Sequence, residues 1–317
     1  MLDARRLRLL RDLSVHGTVA ATAEALHLTG PAVSQQLAAL EKDAGIPLLE
    51  KHGRTLRLTA AGSLLVEHAD VVLAGLAAAE ADLQALRDGG RGRIRVAAFP
   101  SAARALLPAV WRRLGQDGDR ATELRMVEHE PDAAIDALRH GRIDIAVVHA
   151  YSLLPREVPP GCEQHHLLDD PVLLAVPDGL AEQWRIGPGR GVDLARLSGA
   201  DWLLPGPETS CHELVRRACG AAGFVPRQVG VASDFSVLVA LVAAGAGVAI
   251  VPRMALPAGT GGVSLHPLRH PVTRTVSALT AAGAARHPRL RRVLDCLRAA
   301  AEARSDPSGA AIDHAAA

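Results

Sequence analysis

The chain has 317 residues, of which 49% are hydrophobic and 22% are charged, with a formal net charge of +1. This length predicts two or three globular domains, and the small net charge excludes a uniformly basic nucleic-acid-binding protein. The N-terminus lacks the apolar segment of a secretory signal, and the sequence contains no charge-free apolar run of membrane-spanning length. Four cysteines are few for this length and are expected to be reduced thiols. Together, these features predict a cytoplasmic protein without membrane contact.

The first sixty residues show three short helical segments. A leucine stripe runs through the first segment, which ends before Gly17. Thr18 and Thr29 precede the second and third segments and are predicted to be their N-caps, with Pro31 in the first turn of the third. The stripe consists of Leu2, Leu7, Leu10 and Leu13.

The second and third segments meet at a tight turn, "HLTGP", which predicts a helix-turn-helix. The third helix would bury one side, which carries Val33, Leu37 and Leu40. Its other side carries small or polar residues, namely Ala32, Ser34, Gln35 and Ala38. Small residues let a helix enter the major groove, and Ser and Gln can bond to base edges or phosphates. Two ordinary packed helices would show the same spacing.

The stretch "GIPLLEKHGRTLRLTAAG" is typical of a two-stranded ribbon. The strands would be Leu48-Leu49 and Thr55–Leu58, joined by a turn at His52-Gly53. A ribbon beside a recognition helix can reach the DNA backbone, where basic residues bind phosphates. The basic residues of this ribbon are Lys51, Arg54 and Arg57.

Taken together, these residues resemble the winged helix-turn-helix of LysR-type transcriptional regulators. The matching residues are Gly17-Thr18, Ala23, Leu26, Pro31 to Ser34, Leu40-Glu41, Gly45, Pro47-Leu48, Gly53-Arg54, Leu58-Thr59 and Ala61-Gly62. The resemblance implies sequence-specific binding of double-stranded DNA through Thr18, Thr29, Pro31, Ala32, Ser34, Gln35 and Arg54. Gly30 and Gln35 depart from the residues usual in the family, which leaves the operator sequence open.

One long helical pattern covers residues 60–89 and follows the DNA-binding domain, residues 1–59. Its apolar stripe has no obvious partner within the chain, and such helices usually pair with a second copy. The stripe consists of Leu64, Leu65, His68, Val71, Val72, Leu76, Leu83 and Leu86. The resemblance implies a linker helix that forms a homodimer or homotetramer, whereas a core helix of the next domain is the alternative.

Strands and helices alternate over residues 90–303, which predicts an α/β domain with a largely parallel sheet. The resemblance implies an effector domain of two Rossmann-like lobes, like those of type 2 periplasmic binding proteins. Lobe I would comprise about 91–155 and 269–303, and lobe II about 156–268. Residues 304–317 are predicted to be a disordered tail. The expected fold is therefore a multidomain α+β chain with a winged helix-turn-helix, a linker helix and two α/β lobes.

Ligands of open α/β sheets bind where strands end and helices begin. This rule selects a set of positions that also match the effector-contacting positions of the resembled family. They are Pro100, Ser101, Ala102, Glu130, Pro131, His149, Gly206, Thr209, Ser210 and Asp234. Hydroxyl and N–H groups suit a carboxylate, whereas Glu130, His149 and Asp234 suit an amine or an amino acid, and both ligand classes stay open.

Other functions have weaker support in the sequence. Cys211 and Cys219 lie in one predicted helix, where peroxide-sensing members of the family form a disulfide, but eight helical residues span about 12 Å. The His residues show no zinc spacing, and catalytic motifs are lacking, so neither a metal, a cofactor nor an enzymatic activity is expected. An effector-independent or architectural DNA-binding protein is the main alternative, and RNA polymerase is a further partner that the resemblance allows.

Overall fold

Three short helices form the N-terminal unit of the computed structural model, which describes residues 1–52, 55–87, 92–116, 122–186 and 191–305. The helices are α1 (Ala4–His16), α2 (Val19–Ala25) and α3 (Gly30–Ala44). Each helix begins after an N-cap residue, namely Asp3 for α1, Thr18 for α2 and Thr29 for α3. The side chain of this residue accepts a backbone N–H of the first helical turn. α1 and α3 end at Gly17 and Gly45, whose φ angles of +72° and +70° favour glycine. The predicted boundaries of α2 and α3 follow from these caps.

Leucines from α1 and α3 form the core of this unit. Burial of each such side chain contributes about 1.5–3 kcal/mol of transfer free energy. The buried members include Leu7, Leu10, Leu13, Val33, Leu37 and Leu40. The inclusion of Leu2 in the stripe was wrong: it precedes the Asp3 cap and is 43% exposed.

The ribbon consists of β1 (Leu49–His52) and β2 (Thr55–Leu58), paired antiparallel. The carboxylate of Glu41 in α3 accepts the N–H groups of Leu48 and Leu49, at 2.8 and 3.0 Å. This pair of bonds fixes the ribbon to α3, because it satisfies the backbone donors just before β1 and at its first residue.

A single helix, α4 (Ala60–Arg87), follows the ribbon. One face of α4 is buried against α1 through Val66, Ala69 and Leu73. Most of the predicted stripe lies on the other side, where the exposed residues include Leu64, Val71, Val72, Leu76 and Leu83. The helix therefore has a partner within the chain for one face and leaves a second apolar face exposed.

The remaining elements alternate as predicted. They are β3 (Gly92–Ala98), α5 (Pro100–Gln116), β4 (Thr122–Glu128), α6 (Pro131–Arg139), β5 (Ile145–Tyr151), β6 (Cys162–Pro177), α7 (Asp178–Gln183), β7 (Asp201–Leu204), α8 (Ser210–Ala221), β8 (Arg227–Val231), α9 (Phe235–Ala243), β9 (Ala249–Pro252), β10 (Val263–Pro267), β11 (Thr273–Ala281) and α10 (Pro288–Ser305). α10 extends two residues past the predicted end at residue 303. The predicted disordered tail otherwise lies outside the described residues.

Strand β6 belongs to both lobes. Its first half pairs antiparallel with β11 in the sheet of lobe I, and its second half pairs with β9 and β10 in lobe II. The chain therefore crosses between the lobes near Pro171, whereas the sequence placed the boundary at residue 156. The sheet is also mixed rather than largely parallel, since only β3–β4, β3–β5 and β7–β8 pair in parallel among the described strands.

Each lobe has a separate apolar core. In lobe I, β3, β5 and β11 pack against α5 and α10, and in lobe II, α8 packs against β6 and the fully buried Trp202. The described residues include no helix long and apolar enough to cross a membrane. The two cores place the carboxyl ends of β3, β4 and β5 opposite the N-termini of α8 and α9.

Candidate functional site

The outer face of α3 is the candidate DNA-reading surface. Pro31, Ser34 and Gln35 are exposed and Ala32 is half-buried, so all four predicted positions lie on or beside this face. The opposite face is anchored in the core by the buried side chains of Val33, Leu37 and Leu40. The arrangement presents small and hydrogen-bonding groups outward on a helix whose own position is fixed.

Thr18 and Thr29 act first as helix caps. The hydroxyl of Thr18 accepts the N–H of Ala21 at 3.1 Å, and that of Thr29 accepts the N–H of Ala32 at 3.4 Å. A threonine hydroxyl that accepts one bond still has a proton to donate. Both residues are exposed at helix N-termini, where a phosphate oxygen is a favourable partner.

The ribbon contributes positive charge beside α3. Lys51 and Arg57 are exposed, although Glu50 lies directly opposite Arg57 in the register and offsets part of its charge. Arg54, predicted at the tip of the ribbon, lies outside the described residues.

A hydrogen bond joins the two lobes across the cleft. The ring Nε2 of His149, at the end of β5, lies 2.9 Å from the hydroxyl of Ser210, at the start of α8. The rings of Phe99 and Tyr151 hold the imidazole in edge-on contacts, with centroids at 4.5 and 5.2 Å. Burial lowers the pKa of His149 well below its ordinary value, so the ring is neutral at pH 7. Two predicted site residues thus meet here, and His149 Nδ1 is buried without a hydrogen-bond partner.

Arg274 is a cleft residue that the sequence interpretation missed. Its guanidinium is 1% exposed, bonds to the carboxylate of Asp170 at 2.7 and 3.0 Å, and lies 5.1 Å above the ring of Phe99. Burial raises the pKa of Asp170, while Arg274 opposes that change. A usable signal was present, because Arg274 alternates with the core residues Val276 and Ala278 along β11.

Glu130, after the carboxyl end of β4, has a half-buried carboxyl group close enough to Arg274 and Glu208 to feel both charges. It precedes α6 but does not cap that helix with its side chain. Burial raises the pKa of Glu130, and the nearby carboxylate of Glu208 from lobe II adds to this effect. Glu208 itself accepts a hydrogen bond from the hydroxyl of Ser233 at 2.5 Å, which lowers its pKa. Two acidic groups therefore face each other across the lobes.

The remaining strand-end residues form the walls of the cleft. Ser101 and Ala102 are buried in the first turn of α5, while Pro100 is exposed. Pro131 is buried at the start of α6. Gly206 is also buried, and an added Cβ there would lie 2.1 Å from the carboxylate of Glu208, so a larger residue would displace that acid.

Thr209 and Asp234 serve as the N-caps of α8 and α9. Thr209 accepts the N–H of His212 at 3.3 Å and donates to the carbonyl of Gly206 at 2.7 Å. Asp234 accepts the N–H of Ser236 at 2.7 Å, and this bond is the main reason that its pKa is lowered. Capping accounts for both side chains, whereas Nδ1 of His149 has no hydrogen-bond partner and Glu130 does not cap its helix.

Arg104 is a second residue that the sequence interpretation missed. From α5 in lobe I it donates to the carbonyl of Ala255 at 2.6 Å and to the hydroxyl of Ser236 at 3.3 Å, both in lobe II. This guanidinium and the bond between His149 and Ser210 hold the lobes together on two sides.

The cysteines of α8 are buried free thiols in this structure. Cys211 and Cys219 are buried and unpaired, and burial raises their pKa values to about 11 and about 12. Only the thiolate reacts with peroxides or disulfides, so a small apolar role fits both residues better than redox sensing.

The adjacent residues His165 and His166 each contact a polar side chain. His165 Nε2 lies 3.1 Å from the hydroxyl of Thr280, and His166 lies 3.3 Å from Asp169. Within the described ranges, no group of three or more His, Cys, Asp or Glu residues is arranged to hold a metal ion.

Two family models match the chain, one over the N-terminal unit and one over the two lobes. Residues 4–63 match the family described as "Bacterial regulatory helix-turn-helix protein, lysR family". Residues 87–302 match the family described as "LysR substrate binding domain". The first match covers α1 to the start of α4, and the second covers both lobes and the cleft.

Similar proteins extend over nearly the whole chain. The transcriptional regulator TfdS of Cupriavidus pinatubonensis is 30% identical, over 94% of this chain and 98% of its own. A crystal structure of full-length CbnR with its target DNA has a TM-score of 0.51 at 25% identity, covering 94% of this chain and 100% of that one. ArgP from Mycobacterium tuberculosis has a TM-score of 0.62 at 23% identity, over 95% and 98% of the two chains, which supports the fold.

Proposed function

The chain belongs to the LysR family of DNA-binding transcriptional regulators, and on this premise we propose that the outer face of α3 reads the operator while the inter-lobe cleft binds the effector. The observation that carries the proposal is the order of the elements, in which the helix α4 follows the helix-turn-helix and ribbon and precedes the two lobes and their cleft. TfdS and CbnR are transcriptional regulators, and we propose no reaction for this chain.

Replacement of Gln35 and of Lys51 separates base reading from phosphate binding. Gln35→Ala should change affinity by about 1–3 kcal/mol at particular base pairs, because its amide is exposed on the outer face of α3. Lys51→Ala should weaken binding to all sequences and lower the salt slope by about one unit. Both effects can be measured by footprinting and by binding titration with DNA from the region upstream of the protein's own gene. Uniform weakening by both variants would show that the assigned roles are wrong.

We propose a homodimer formed through the exposed apolar face of α4. Leu64, Leu76 and Leu83 are 56%, 45% and 57% exposed on this helix, which is costly for a monomer in water. Pairing of two such faces would bury them and place two recognition helices on one operator.

Leu76→Glu should dissociate the dimer, because the change places a charge in the centre of the proposed apolar interface. Multi-angle light scattering of the purified protein would show the mass per particle halved at micromolar concentration. Glu67→Gln, which changes an exposed residue about two and a half turns from Leu76 on α4, is the matched control and should leave the mass unchanged. An unchanged mass in Leu76→Glu would place the interface elsewhere.

For the effector we propose a small amphoteric molecule with an amino group. The positive charge of Arg274 is already neutralised by Asp170, His149 is neutral, and the uncommitted charge in the cleft is that of Glu130. A cationic amine beside Glu130 would offset its desolvation, and the first turns of α5 and α8 offer N–H groups to a carboxylate. An amino acid carries both groups.

Glu130→Gln should remove the response to such a ligand while leaving the fold intact. A true effector at 100 times its Kd stabilises the native state by about 2.7 kcal/mol, which thermal unfolding detects. The test compares a panel of amino acids with their deaminated carboxylate analogues on wild type, Glu130→Gln and the exposed control Glu128→Gln. Stabilisation by carboxylates alone would contradict the amine assignment. The absence of any response would favour the effector-independent alternative.

A further inference from the structure

A cavity of about 250 Å³ lies in lobe I, at the end of the sheet opposite the inter-lobe cleft. Its wall includes three arginines, Arg286, Arg291 and Arg298, together with Glu163 and Gly283. The register fixes its place, because the end of β11 pairs with the start of β5, whereas the start of β11 pairs with the end of β5 at the cleft. The cavity is thus separate from the effector cleft.

The cavity carries excess positive charge. Arg298 is paired with Asp295 at 2.8 Å, but in the described part of the chain neither Arg286 nor Arg291 forms an ion pair. Glu163 is the one carboxylate in the wall, and one of its oxygens accepts the N–H of Gly283 at 2.9 Å. With Arg298 offset by Asp295, the guanidinium groups of Arg286 and Arg291 face one carboxylate, which leaves a net charge of +1. Like charges facing one cavity repel each other, and a bound anion relieves that repulsion.

We propose that this cavity binds a small oxyanion with two or more negative charges, of the kind found in phosphates and polycarboxylates. The guanidinium group offers paired N–H donors that match the oxygens of both chemical groups, and its charge persists at every physiological pH. A volume of about 250 Å³ lies just below the range of drug-sized ligand sites, which limits the occupant to a small molecule. Glu163 disfavours an anion at its own side, so the ligand lies toward Arg286 and Arg291.

The position of the cavity connects it with the linker helix. Gly161 accepts the N–H of Ala282 at 2.8 Å and lies against Val71 of α4, where an added Cβ would come within 3.0 Å of the valine. Glu163 and Gly283 follow these contacts by one or two residues. An anion at the cavity would therefore act on the segment on which α4 rests, independently of the effector cleft.

The test measures binding of inorganic phosphate and of citrate to the full-length protein by isothermal titration calorimetry, with potassium chloride holding the ionic strength constant. Wild type should bind at least one of them saturably, and the two arms identify phosphate or polycarboxylate as the preferred chemistry. Arg286→Gln and Arg291→Gln should each weaken binding about tenfold or more, since each removes charge-assisted hydrogen bonds. Arg216→Gln, an exposed arginine of α8 in lobe II, is the matched control and should bind as wild type does.

Several results would overturn the proposal. Equal affinity in all four proteins would assign the binding to another site. Stabilisation that grows with phosphate concentration without saturation would be the general effect of an excluded salt. Loss of DNA affinity in Arg286→Gln and Arg291→Gln without any small-anion binding in wild type would make the cluster a DNA-backbone contact. None of these results bears on the proposed effector in the cleft.

Discussion

Arg274→Met is expected to destabilise the protein by about 3–5 kcal/mol, the usual cost of breaking a buried ion pair by removing one partner. The variant leaves the carboxylate of Asp170, which is 3% exposed, without its cation. It also removes the cation above Phe99. Denaturant unfolding of wild type and variant at pH 7 measures the difference. Arg269→Met is the control, because its pair with Asp193 is exposed and solvent screens it, so this variant should unfold at nearly the wild-type denaturant concentration.

The stability that Arg274→Met loses relative to wild type should depend on pH, and the direction can be predicted. Burial raises the pKa of Asp170 already in the wild type, and removal of the guanidinium raises it further. An acid whose folded pKa is raised contributes stability when protonated and loses it as pH rises through the folded pKa. The variant should therefore approach wild-type stability as pH falls from 7 toward about 4. A deficit that is constant over this range would mean that lost packing, not the unpaired carboxylate, is the cause.

Arg139→Met is expected to loosen the contact between the linker helix and lobe I. Arg139 at the end of α6 forms an ion pair with Asp70 of α4, whose side chain is 4% exposed and whose second oxygen is buried without a partner. We expect a loss of about 1–3 kcal/mol, less than for Arg274, because the side chain of Arg139 is 38% exposed and solvent screens its charge. Amide hydrogen exchange should quicken in α6 and around Asp70, while the lobe II core stays protected.

The matched control for this change is Arg142→Met, which breaks an exposed pair with Asp136 and should leave exchange in α4 unaltered. Faster exchange throughout the protein in Arg139→Met would show global destabilisation rather than loss of one contact. The expected local result matters for signalling, because α6 begins directly after Glu130 and ends at Arg139, the residue that holds α4. A ligand that moves Glu130 has a rigid helix of nine residues through which to act on the linker.

Local signals made the N-terminal unit predictable. Thr18 and Thr29 were identified as caps because capping depends on a side chain and the backbone within three residues. The period of Val33, Leu37 and Leu40 likewise identified the buried face of α3. The alternation of strands and helices gave the α/β class for the same reason.

Contacts between residues distant in the chain could not be predicted in this way. Asp170 and Arg274 are separated by 104 positions, and Asp70 and Arg139 by 69, so neither pair produces a local pattern. The second, buried face of α4 was not predicted for the same reason, since α1 covers Val66, Ala69 and Leu73 from a distant part of the sequence, whereas most of the predicted stripe stays exposed. The cleft residues were selected by a rule on strand ends, but which of them serve only as caps, as Thr209 does, depends on the local geometry of each turn.

The passage of β6 through both sheets has a consequence for dissecting the molecule. A protein fragment that ends before Cys162 would lack both β6 and β11, so β5 would lose its antiparallel partner. A fragment that begins at Val172 would keep the pairing of β6 with β9 and β10 but would lack Asp170, the partner of Arg274. Lobe I also needs β11 and α10, which are translated last. Neither lobe is therefore a separable module, and shuffling of ligand specificity between such proteins has to exchange the two lobes together.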